Sequence, residues 1–282
     1  MNEAAIETLC TWLGDAEAVL IAAGAGMSAA AGLDYGDRRR FAELFPALLP
    51  LGLRARYELI GRTDLPEALF WPFWARHVAD ICFGPRDDPP YRDLQALTRQ
   101  HDRFVLTSNV DSLFERNGFD AGHIHTPQGD YRLMQCARAC TPQVWPSEPQ
   151  LRRVLAATDA QTQRLVDRSA LPRCPVCSGP VFLNVRIDGY FIEQPHAESG
   201  QRLARWLADQ QARRLLILEI GAGFNTPSVI RWPCEGLAAR RPNTKLARLN
   251  LTHSALQSPL GERGLSITGD AGEVLARLVG LR

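Results

Sequence analysis

The stretch Ala18-Val19-Leu20-Ile21-Ala22-Ala23-Gly24-Ala25-Gly26-Met27-Ser28-Ala29 decides the fold of this chain. Its first six residues are apolar and predict a buried β-strand that runs directly into glycines. The alanine-rich segment after Ser28 predicts a helix. A buried strand, a tight turn and a helix in this order are typical of an α/β domain built on a parallel sheet.

Other segments of the chain extend this pattern. The apolar spacing predicts an amphipathic helix over 4–13, a helix over 199–211 and a final helix after Asp270. Short apolar runs predict the further strands 104–108, 215–220, 245–250 and 265–268. Strands separated by helical stretches indicate a mostly parallel sheet that is covered on both faces.

Two segments interrupt the α/β pattern. Between Arg38 and about Phe83 the spacing is helical, with proline and glycine breaks, which predicts a helical insertion over 37–91. After Gln128 the chain becomes rich in cysteine and proline, which predicts a small module over 131–193. The predicted fold class is therefore α/β: a discontinuous Rossmann-like domain over 1–36, 92–130 and 194–282, with a helical insertion and a small zinc-binding module.

The composition argues against several classes of function. The formal net charge is +1, with acidic and basic residues interspersed, so the surface has no field that would gather nucleic acid or anionic lipid. No apolar run reaches the ~18 residues of a membrane span, and the first residues do not resemble a secretory signal. These features predict a cytoplasmic protein whose partners are small molecules or other proteins. Lys245 is the only lysine, which we attribute to biased codon usage.

The glycine-rich turn of Gly24 to Ala29 fits the pattern G-x-G-x-x-G/A in the strand-to-helix setting that the motif requires. Glycines allow a tight turn and let backbone N–H groups approach the pyrophosphate of a dinucleotide at a helix start. A tight turn without a ligand is the competing interpretation. A dehydrogenase would also have an acidic residue ending a second strand about 20 positions later. Glu43 has that spacing but lies among polar and basic residues, so a reaction other than hydride transfer is favoured.

Four of the seven cysteines form two close pairs, Cys136-x3-Cys140 and Cys174-x2-Cys177. Two thiolate-bearing turns of this kind suit one tetrahedral Zn²⁺, and four cysteines without an open position indicate a structural ion. A redox pair is the alternative for Cys174 and Cys177. Pro172 and Gly179 indicate an irregular turn there, rather than the helix start that a redox pair uses.

The order and spacing of five motifs resemble the sirtuin (Sir2) family over residues 18–275. They are Gly24-Ala25-Gly26-Met27-Ser28, Thr107-Ser108-Asn109-Val110-Asp111, the paired cysteines, Gly221-Ala222-Gly223 and Leu249-Asn250. Within the family, the chain looks most like the microbial class M sirtuins. That likeness rests on the Cys136 and Cys140 pair and on three stretches: Gln128-Gly129-Asp130-Tyr131, Asn184-Val185-Arg186-Ile187-Asp188 and Gly221-Ala222-Gly223-Phe224-Asn225-Thr226-Pro227.

Gln128 occupies the position of the catalytic histidine found in most sirtuins, eight residues before the first zinc cysteine. An amide cannot accept a proton at neutral pH, so lysine deacetylation is disfavoured. His125 lies three residues upstream and is a possible substitute base, although Gln128 keeps the family's spacing. The amide of Gln128 is still able to hydrogen-bond ribose hydroxyls and to orient NAD.

The resemblance implies roles for the remaining residues. It assigns Asp111 to the carboxamide of nicotinamide and Asn109 to the nicotinamide ribose. It also places Tyr35 in the segment that covers NAD, and the adenosine side of NAD against Gly221, Ala222, Gly223, Asn225, Asn250, Asp270 and Ala271. Arg186 lies in an apolar run and is expected either to face the catalytic cleft or to pair with Asp188 or Asp130.

Taken together, the resemblance implies an NAD-dependent protein ADP-ribosyltransferase with Asn109, Gln128 and Arg186 as catalytic residues and NAD as substrate. It suggests an acceptor related to lipoyl-carrier H proteins and a macrodomain hydrolase in the same pathway. The alternatives are an NAD glycohydrolase, an NAD-dependent protein deacylase, and an NAD or ADP-ribose sensor.

Overall fold

The computed structural model describes residues 2–62, 64–187, 189–257 and 260–281. The α-helices in these ranges are α1 (Glu3–Asp15), α2 (Ala25–Ala30), α3 (Arg38–Leu44), α4 (Glu67–Val78), α5 (Pro89–Thr98), α6 (Leu113–Arg116), α7 (Glu148–Ala156), α8 (Gln194–Asp209), α9 (Arg231–Arg240) and α10 (Ala271–Gly280). The strands are β1 (Ala18–Ala23), β2 (Asp102–Thr107), β3 (Ile124–His125), β4 (Gly129–Cys136), β5 (Trp145–Pro146), β6 (Val181–Val185), β7 (Leu215–Ile220), β8 (Thr244–Asn250) and β9 (Gly264–Thr268). Short 3₁₀ turns occupy Pro46–Leu51, Arg56–Glu58, Ala121–His123, Arg168–Ala170 and Gly261–Arg263, and a π-helical turn spans Ala79–Phe83.

Two compact units divide the chain. Unit 1 consists of Met1–Leu33, Asp87–Gln128 and His196–Arg282, and unit 2 consists of Asp34–Arg86 and Gly129–Pro195. The chain passes from one unit to the other four times. Each unit is therefore assembled from segments that are far apart in the sequence.

Unit 1 is built on a parallel six-stranded sheet in the order β3-β2-β1-β7-β8-β9. All six residues of β1 and all six of β7 are buried, as expected for central strands with both faces covered. The α/β fold with a parallel sheet is thus confirmed. Strand β7 has the predicted bounds, whereas α8 begins at Gln194, five residues before the predicted helix at 199.

Helices cover both faces of this sheet. On one face, Leu203 and Trp206 of α8 and Cys234 of α9 pack against Leu20 and Ile217 of the central strands. Helix α1 contacts α10 and β9, and α10 also contacts α2 and α5. The Asn2 side chain accepts a hydrogen bond from the Ala5 backbone N–H and so caps the start of α1.

Unit 2 combines helices with a three-stranded antiparallel sheet in the order β5-β4-β6. Its two chain segments are hydrogen-bonded to each other. The Leu165 N–H donates to the Ala68 carbonyl, and the Gln163 amide bridges the Leu44 carbonyl and the Ala47 N–H. Residues 37–86 of the predicted helical insertion and the residues predicted as a cysteine module therefore share one packed unit, whereas residues 87–91 belong to unit 1.

None of the described helices has the length and apolar character needed to cross a membrane.

Candidate active site

The two glycine turns of unit 1 touch each other through their backbones. They follow the neighbouring strands β1 and β7, and the Gly26 N–H donates to the Gly221 carbonyl at 2.9 Å. A Cβ on Gly24 would lie 2.6 Å from the Ala222 Cα, and one on Gly26 would lie 2.6 Å from the Gly221 Cα. Gly221 also has φ +65°, in the left-handed region that favours glycine. The close contact between the two turns therefore requires glycine at these positions, whether or not a ligand is bound.

Hydrogen bonds within unit 1 already engage part of the first turn. Besides the bond from Gly26, the Met27 N–H donates to the Gly24 carbonyl at 3.0 Å. The Met27 side chain is fully buried, whereas Ala25 is exposed. Gly223 in the second turn has open space around its Cβ position, and Asn225 is exposed. The exposed residues of the two turns are the ones that remain accessible to a ligand.

A buried polar cluster lies directly beside the first turn. The Ser28 hydroxyl donates to Asp111 Oδ2 at 2.5 Å and lies 3.5 Å from the Tyr91 hydroxyl. The other oxygen of Asp111 accepts the Leu113 N–H at 3.0 Å. The Asn109 amide donates to the Gly24 carbonyl at 3.0 Å, and the Asn109 N–H donates to the Thr107 hydroxyl. The structure thus places Ser28, Asn109 and Asp111 together at the carboxyl edge of the sheet.

Tyr91 belongs to this cluster but was not among the predicted site residues. Burial and the nearby Asp111 carboxylate raise the pKa of Tyr91 well above its usual value, so its hydroxyl keeps its proton. It lies near the start of α5, just after Pro89 and Pro90, where the sequence gives no sign of a functional residue. The fold alone brings α5 to this edge of the sheet.

Gln128 and His125 have different surroundings. The His125 Nδ1 atom lies 2.8 Å from the Ser199 hydroxyl, and the ring packs on Gly200 of α8, 3.3 Å from the position of a Cβ there. Gln128 is half-buried, and its amide has no hydrogen-bond partner among the residues that the structure describes. Gln128 is thus the side chain with hydrogen-bonding capacity to offer a ligand, whereas His125 is held by α8.

Asn250 and Asp270 have structural hydrogen bonds in unit 1. The Asn250 amide donates to the Ala222 carbonyl at 2.9 Å, and its oxygen accepts the N–H groups of Thr252 and His253. Asp270 caps α10 by accepting the Gly272 and Glu273 N–H groups, and Ala271 is buried. Both residues shape turns at the carboxyl edge of the sheet.

A network of four buried charges supports the second glycine turn. Arg248 pairs with both oxygens of Glu219, at 2.7 and 2.9 Å, and with Glu235 at 2.7 Å. Arg231 lies 3.8 Å from Glu219 and donates to the Ala222 and His253 carbonyls at 2.8 and 3.0 Å. Two arginines thus balance two glutamates in the interior. Sequence reasoning missed this network, although a charge inside each of two apolar strands was a usable signal.

Burial and pairing oppose each other in this network. Burial raises the pKa of Glu219 despite the adjacent Arg248 guanidinium. Burial also acts to lower the pKa of Arg248, but the hydrogen bonds to Glu219 outweigh it and the pKa rises. Arg231 is capped on its outer side by the Phe224 ring, whose centroid lies 4.3 Å from the guanidinium carbon. The network ties the Ala222 carbonyl and the loop at His253 to α9.

Tyr35 and Arg186, the two remaining predicted site residues, belong to unit 2. The half-buried Tyr35 ring makes edge contacts with Tyr57 and His77, at centroid distances of 5.7 and 5.1 Å. Arg186 pairs with Glu193 at 2.7 Å and lies over the Phe191 ring. The sequence predicted Asp188 or Asp130 as a partner of Arg186, and Asp188 lies outside the described residues.

The four paired cysteines of unit 2 lie close together. Their sulfur atoms all lie within 4.8 Å of one another, with Cys136 to Cys177 at 3.7 Å and Cys140 to Cys174 at 3.6 Å. Zn–S bonds of about 2.3 Å in a tetrahedron place the sulfurs about 3.8 Å apart, so the observed spacing fits one Zn²⁺. A set of four thiols has no open position for substrate. The predicted structural metal site is confirmed as a cluster able to hold a metal ion.

Comparisons with known proteins agree with this architecture. No protein-family model matches the chain. It is 36% identical over 278 residues to a probable bifunctional ADP-ribose hydrolase/ADP-ribosyltransferase from Fusarium oxysporum f. sp. cubense, covering 95% of the chain and 46% of that relative. It is 28% identical over 271 residues to a protein ADP-ribosyltransferase from Staphylococcus aureus (strain Mu50 / ATCC 700699), covering 94% of the chain and 84% of that relative. The chain thus spans about half the length of the fungal relative.

Solved structures with similar architecture include Sir2 homologues. A mutant Sir2 homologue in complex with ADP-ribose matches with a TM-score of 0.63 at 20% identity, over 100% of this chain and 96% of that one. A Sir2 homologue in complex with NAD matches with a TM-score of 0.61 at 20% identity, over 98% and 93%. The chain therefore has the Sir2 fold. The predicted resemblance to the sirtuins is confirmed, while the class M assignment stays a prediction.

Proposed function

We propose that this chain is an NAD-dependent protein ADP-ribosyltransferase in which NAD is the substrate. The observation that carries the proposal is the buried cluster of Ser28, Asn109 and Asp111 beside the glycine turns, combined with Gln128 where most sirtuins have a histidine base. The names of the fungal and staphylococcal relatives support the same activity. The similarity to class M sirtuins belongs to this proposal.

The reaction breaks the bond between the nicotinamide nitrogen and C1′ of the ribose. The leaving nicotinamide keeps the bonding electron pair, and a side chain of the acceptor protein attacks C1′, losing its proton to solvent or to a base. In this proposal Asp111 accepts a hydrogen bond from the nicotinamide carboxamide and Asn109 holds the nicotinamide ribose. The adenosine side of NAD lies along the second turn, from Gly221 to Asn225, and near Asn250, Asp270 and Ala271.

Gln128 is assigned an orienting role. Its amide has no hydrogen-bond partner among the described residues, so it is free to bond the ribose hydroxyls without losing an internal contact. An amide does not take up the proton that activation of a ribose hydroxyl requires, which disfavours deacylation. His125 is not assigned the missing role, because Gln128 rather than His125 keeps the family's spacing to Cys136.

Two residues of unit 2 and two partners complete the proposal. The resemblance to the sirtuins assigns a catalytic role to Arg186 and the covering of NAD to Tyr35, and the proposal keeps both assignments. The fungal relative, whose name includes an ADP-ribose hydrolase, supports a hydrolase that removes the modification in the same pathway. The acceptor is a protein related to lipoyl-carrier H proteins, and the reaction takes place in the cytoplasm.

The test uses purified chain, NAD labelled in the adenosine part, and a cell extract as the source of acceptor. Label incorporated into protein and nicotinamide released are measured together for wild type, Gln128→Ala, Asn109→Ala and His125→Ala. We expect a discrete labelled protein band with wild type, a loss of at least tenfold with Gln128→Ala and Asn109→Ala, and little change with His125→Ala. Gln201→Ala is the matched control, since Gln201 is an exposed glutamine on α8.

Each alternative function has a different outcome in this assay. Nicotinamide release without labelled protein would indicate a glycohydrolase. Binding of NAD by calorimetry without nicotinamide release would indicate a sensor. Turnover of an acetyl-lysine peptide that is lost in His125→Ala would indicate a deacylase that uses His125 as its base.

A further inference from the structure

Unit 1 contains a cavity at the edge of the sheet opposite to the glycine turns. Its volume is about 480 Å³, and its lining includes Trp12 and Ala16 near the end of α1, Leu216 of β7, Pro242, Lys245 of β8 and Arg263. Ligand sites commonly have volumes of about 300–1,000 Å³. A six-residue parallel strand spans about 20 Å, so the cavity and the glycine turns lie about that far apart. The cavity is therefore separate from the proposed NAD site.

The charges around this cavity favour an anion. Arg214, Lys245 and Arg263 contribute three positive charges, and Asp15 contributes the one carboxylate of the lining. Trp12 and the exposed Pro242 add apolar surface beside these charges. A concave apolar surface with a few converging polar groups is the usual composition of a small-molecule site.

The three cations of the lining differ in how much hydrogen-bonding capacity they retain. One terminal nitrogen of Arg263 donates to the carbonyls of Ala238, Arg241 and Thr244 at the end of α9. Arg214 donates to the Asp15 carbonyl at 2.8 Å and lies 3.5 Å from Glu17. The Lys245 ammonium has no hydrogen-bond acceptor among the described residues. All three of its N–H donors are therefore available to a ligand.

Lys245 is also held in a defined position. Its Nζ atom lies 4.9 Å from the centroid of the Trp12 ring, which is a cation–π distance, and Trp12 is itself buried. It is the only lysine among the 32 basic residues of the chain. An ammonium is a compact charge with rotatable donors, whereas a guanidinium is a planar fork, so the two are not equivalent in a confined site. The one lysine of this chain thus lies in the wall of a cavity of about 480 Å³.

We propose that this cavity binds a small organic anion. The anionic group lies on the Lys245 ammonium, and the apolar part of the molecule packs against Pro242 and Trp12. The site is independent of the proposed transferase activity, since none of its residues belongs to the glycine turns or to the cluster around Asp111.

The test uses 1-anilinonaphthalene-8-sulfonate, a flat aromatic anion that fluoresces when it is bound in an apolar site. The titration is run with saturating ADP-ribose, so that the proposed NAD site is occupied. We expect one binding site per wild-type chain and an affinity at least tenfold lower for Lys245→Met. Lys245→Arg should recover only part of the loss, because the charge is kept but the shape is changed. Ala16→Phe, which fills the cavity and keeps Lys245, should also abolish binding.

Controls separate a lost site from a lost fold and from general charge effects. Arg39→Met removes an exposed cation of unit 2, with 83% of its side chain accessible, and should bind the probe as wild type does. Each variant is first shown to keep the wild-type melting temperature and rate of ADP-ribosyl transfer. Unchanged probe binding in both Lys245→Met and Ala16→Phe would overturn the proposal. Probe binding that is seen without ADP-ribose and is absent when ADP-ribose is saturating would do the same, because it would place the probe at the NAD site.

Discussion

Unit 1 buries four charged side chains close to its second glycine turn. Unit 2 buries His77, Trp74 and Arg56, each with at least one polar atom that has no hydrogen-bond partner among the described residues. In unit 1, Glu219, Arg248, Glu235 and Arg231 pair with one another and with backbone carbonyls. In unit 2, neither ring nitrogen of the fully buried His77 has a hydrogen-bond partner among the described residues, nor has Trp74 Nε1 or Arg56 Nη1. Unit 1 thus pairs these buried charges with one another, whereas unit 2 pairs Arg56 with Asp80 and buries the His77 ring without a hydrogen-bond partner among the described residues.

Each unit also relies on a different kind of support for its fold. The parallel sheet of unit 1 has continuous apolar strands at its centre, so hydrophobic burial stabilises it. The sheet of unit 2 has three strands, two of them with five residues or fewer, beside a four-cysteine cluster. We therefore expect the sheet of unit 2 to depend on a metal ion, whereas hydrophobic burial is expected to be enough for the sheet of unit 1.

The largest effect is expected from loss of the metal. Cys136→Ser should remove the zinc and unfold β4 and β6, because structural zinc contributes roughly 10–16 kcal/mol of binding free energy to folding in small domains. Hydrogen exchange should then become fast in 129–136 and 181–185 and stay slow in β1 and β7. Cys10→Ser, which lies in α1 outside the cluster, is the matched control. Equal loss of protection in both sheets would contradict the idea that the metal stabilises only the sheet of unit 2.

The buried ion network should give the next largest effect. Arg248→Met leaves Glu219 and Glu235 buried without their main partner, which we expect to lower the free energy of unfolding by about 3–5 kcal/mol. Urea unfolding measures this change. Arg277→Met is the control, because Arg277 is exposed and its ion pair with Glu3 is a surface pair of little weight. A small effect for Arg248→Met would show that the network does not support unit 1.

The contact between the two glycine turns gives a third prediction. Gly221→Ala adds a Cβ 2.5 Å from the Gly26 Cα and places alanine at φ +65°, so we expect a destabilisation of roughly 3 kcal/mol. Gly223→Ala should change the melting temperature little, because no atom lies within 4 Å of its Cβ position. Equal melting temperatures for the two variants would mean that the turns separate easily.

The smallest of these effects concerns the pH dependence that His77 contributes. Burial and the Arg56 charge hold the pKa of His77 well below its usual value, so the folded chain keeps it neutral while the unfolded chain protonates it. The contribution of His77 to the free energy of unfolding is therefore complete above about pH 6.5. Below that pH the free energy of unfolding falls by about 1.4 kcal/mol per pH unit because of this one group. The free energy of unfolding, measured with urea at several pH values between 7 and 5, should change less with pH in His77→Phe than in wild type.

The sequence predicted the positions of the strands of unit 1 better than it predicted the side-chain contacts between neighbouring strands. The alternation of apolar runs and helices was enough for β1, β7 and the parallel sheet. The pairing of Glu219 with Arg248 depends on the register of β7 against β8, in which these two residues are directly opposite. A single sequence contains both charges but not that register, which is why the network was missed.

The candidate site shows the same limit. Asn109 and Asp111 were predicted because they follow a strand and match a family motif, and both lie in the buried polar cluster. Tyr91 was missed because it reaches the cluster from α5, which only tertiary packing places there. The partner of His125, Ser199, is 74 residues further along the chain, so the sequence left the role of this histidine open.

The strand order has a consequence while the chain is being synthesised. Strand β7 lies between β1 and β8, yet it leaves the ribosome long after β1, once both segments of unit 2 have been made. Until then, β1 has β2 on one side and an unpaired row of backbone groups on the other. Such an apolar open edge is prone to pair with other chains, so β1 is the segment on which a nascent-chain chaperone would be most useful.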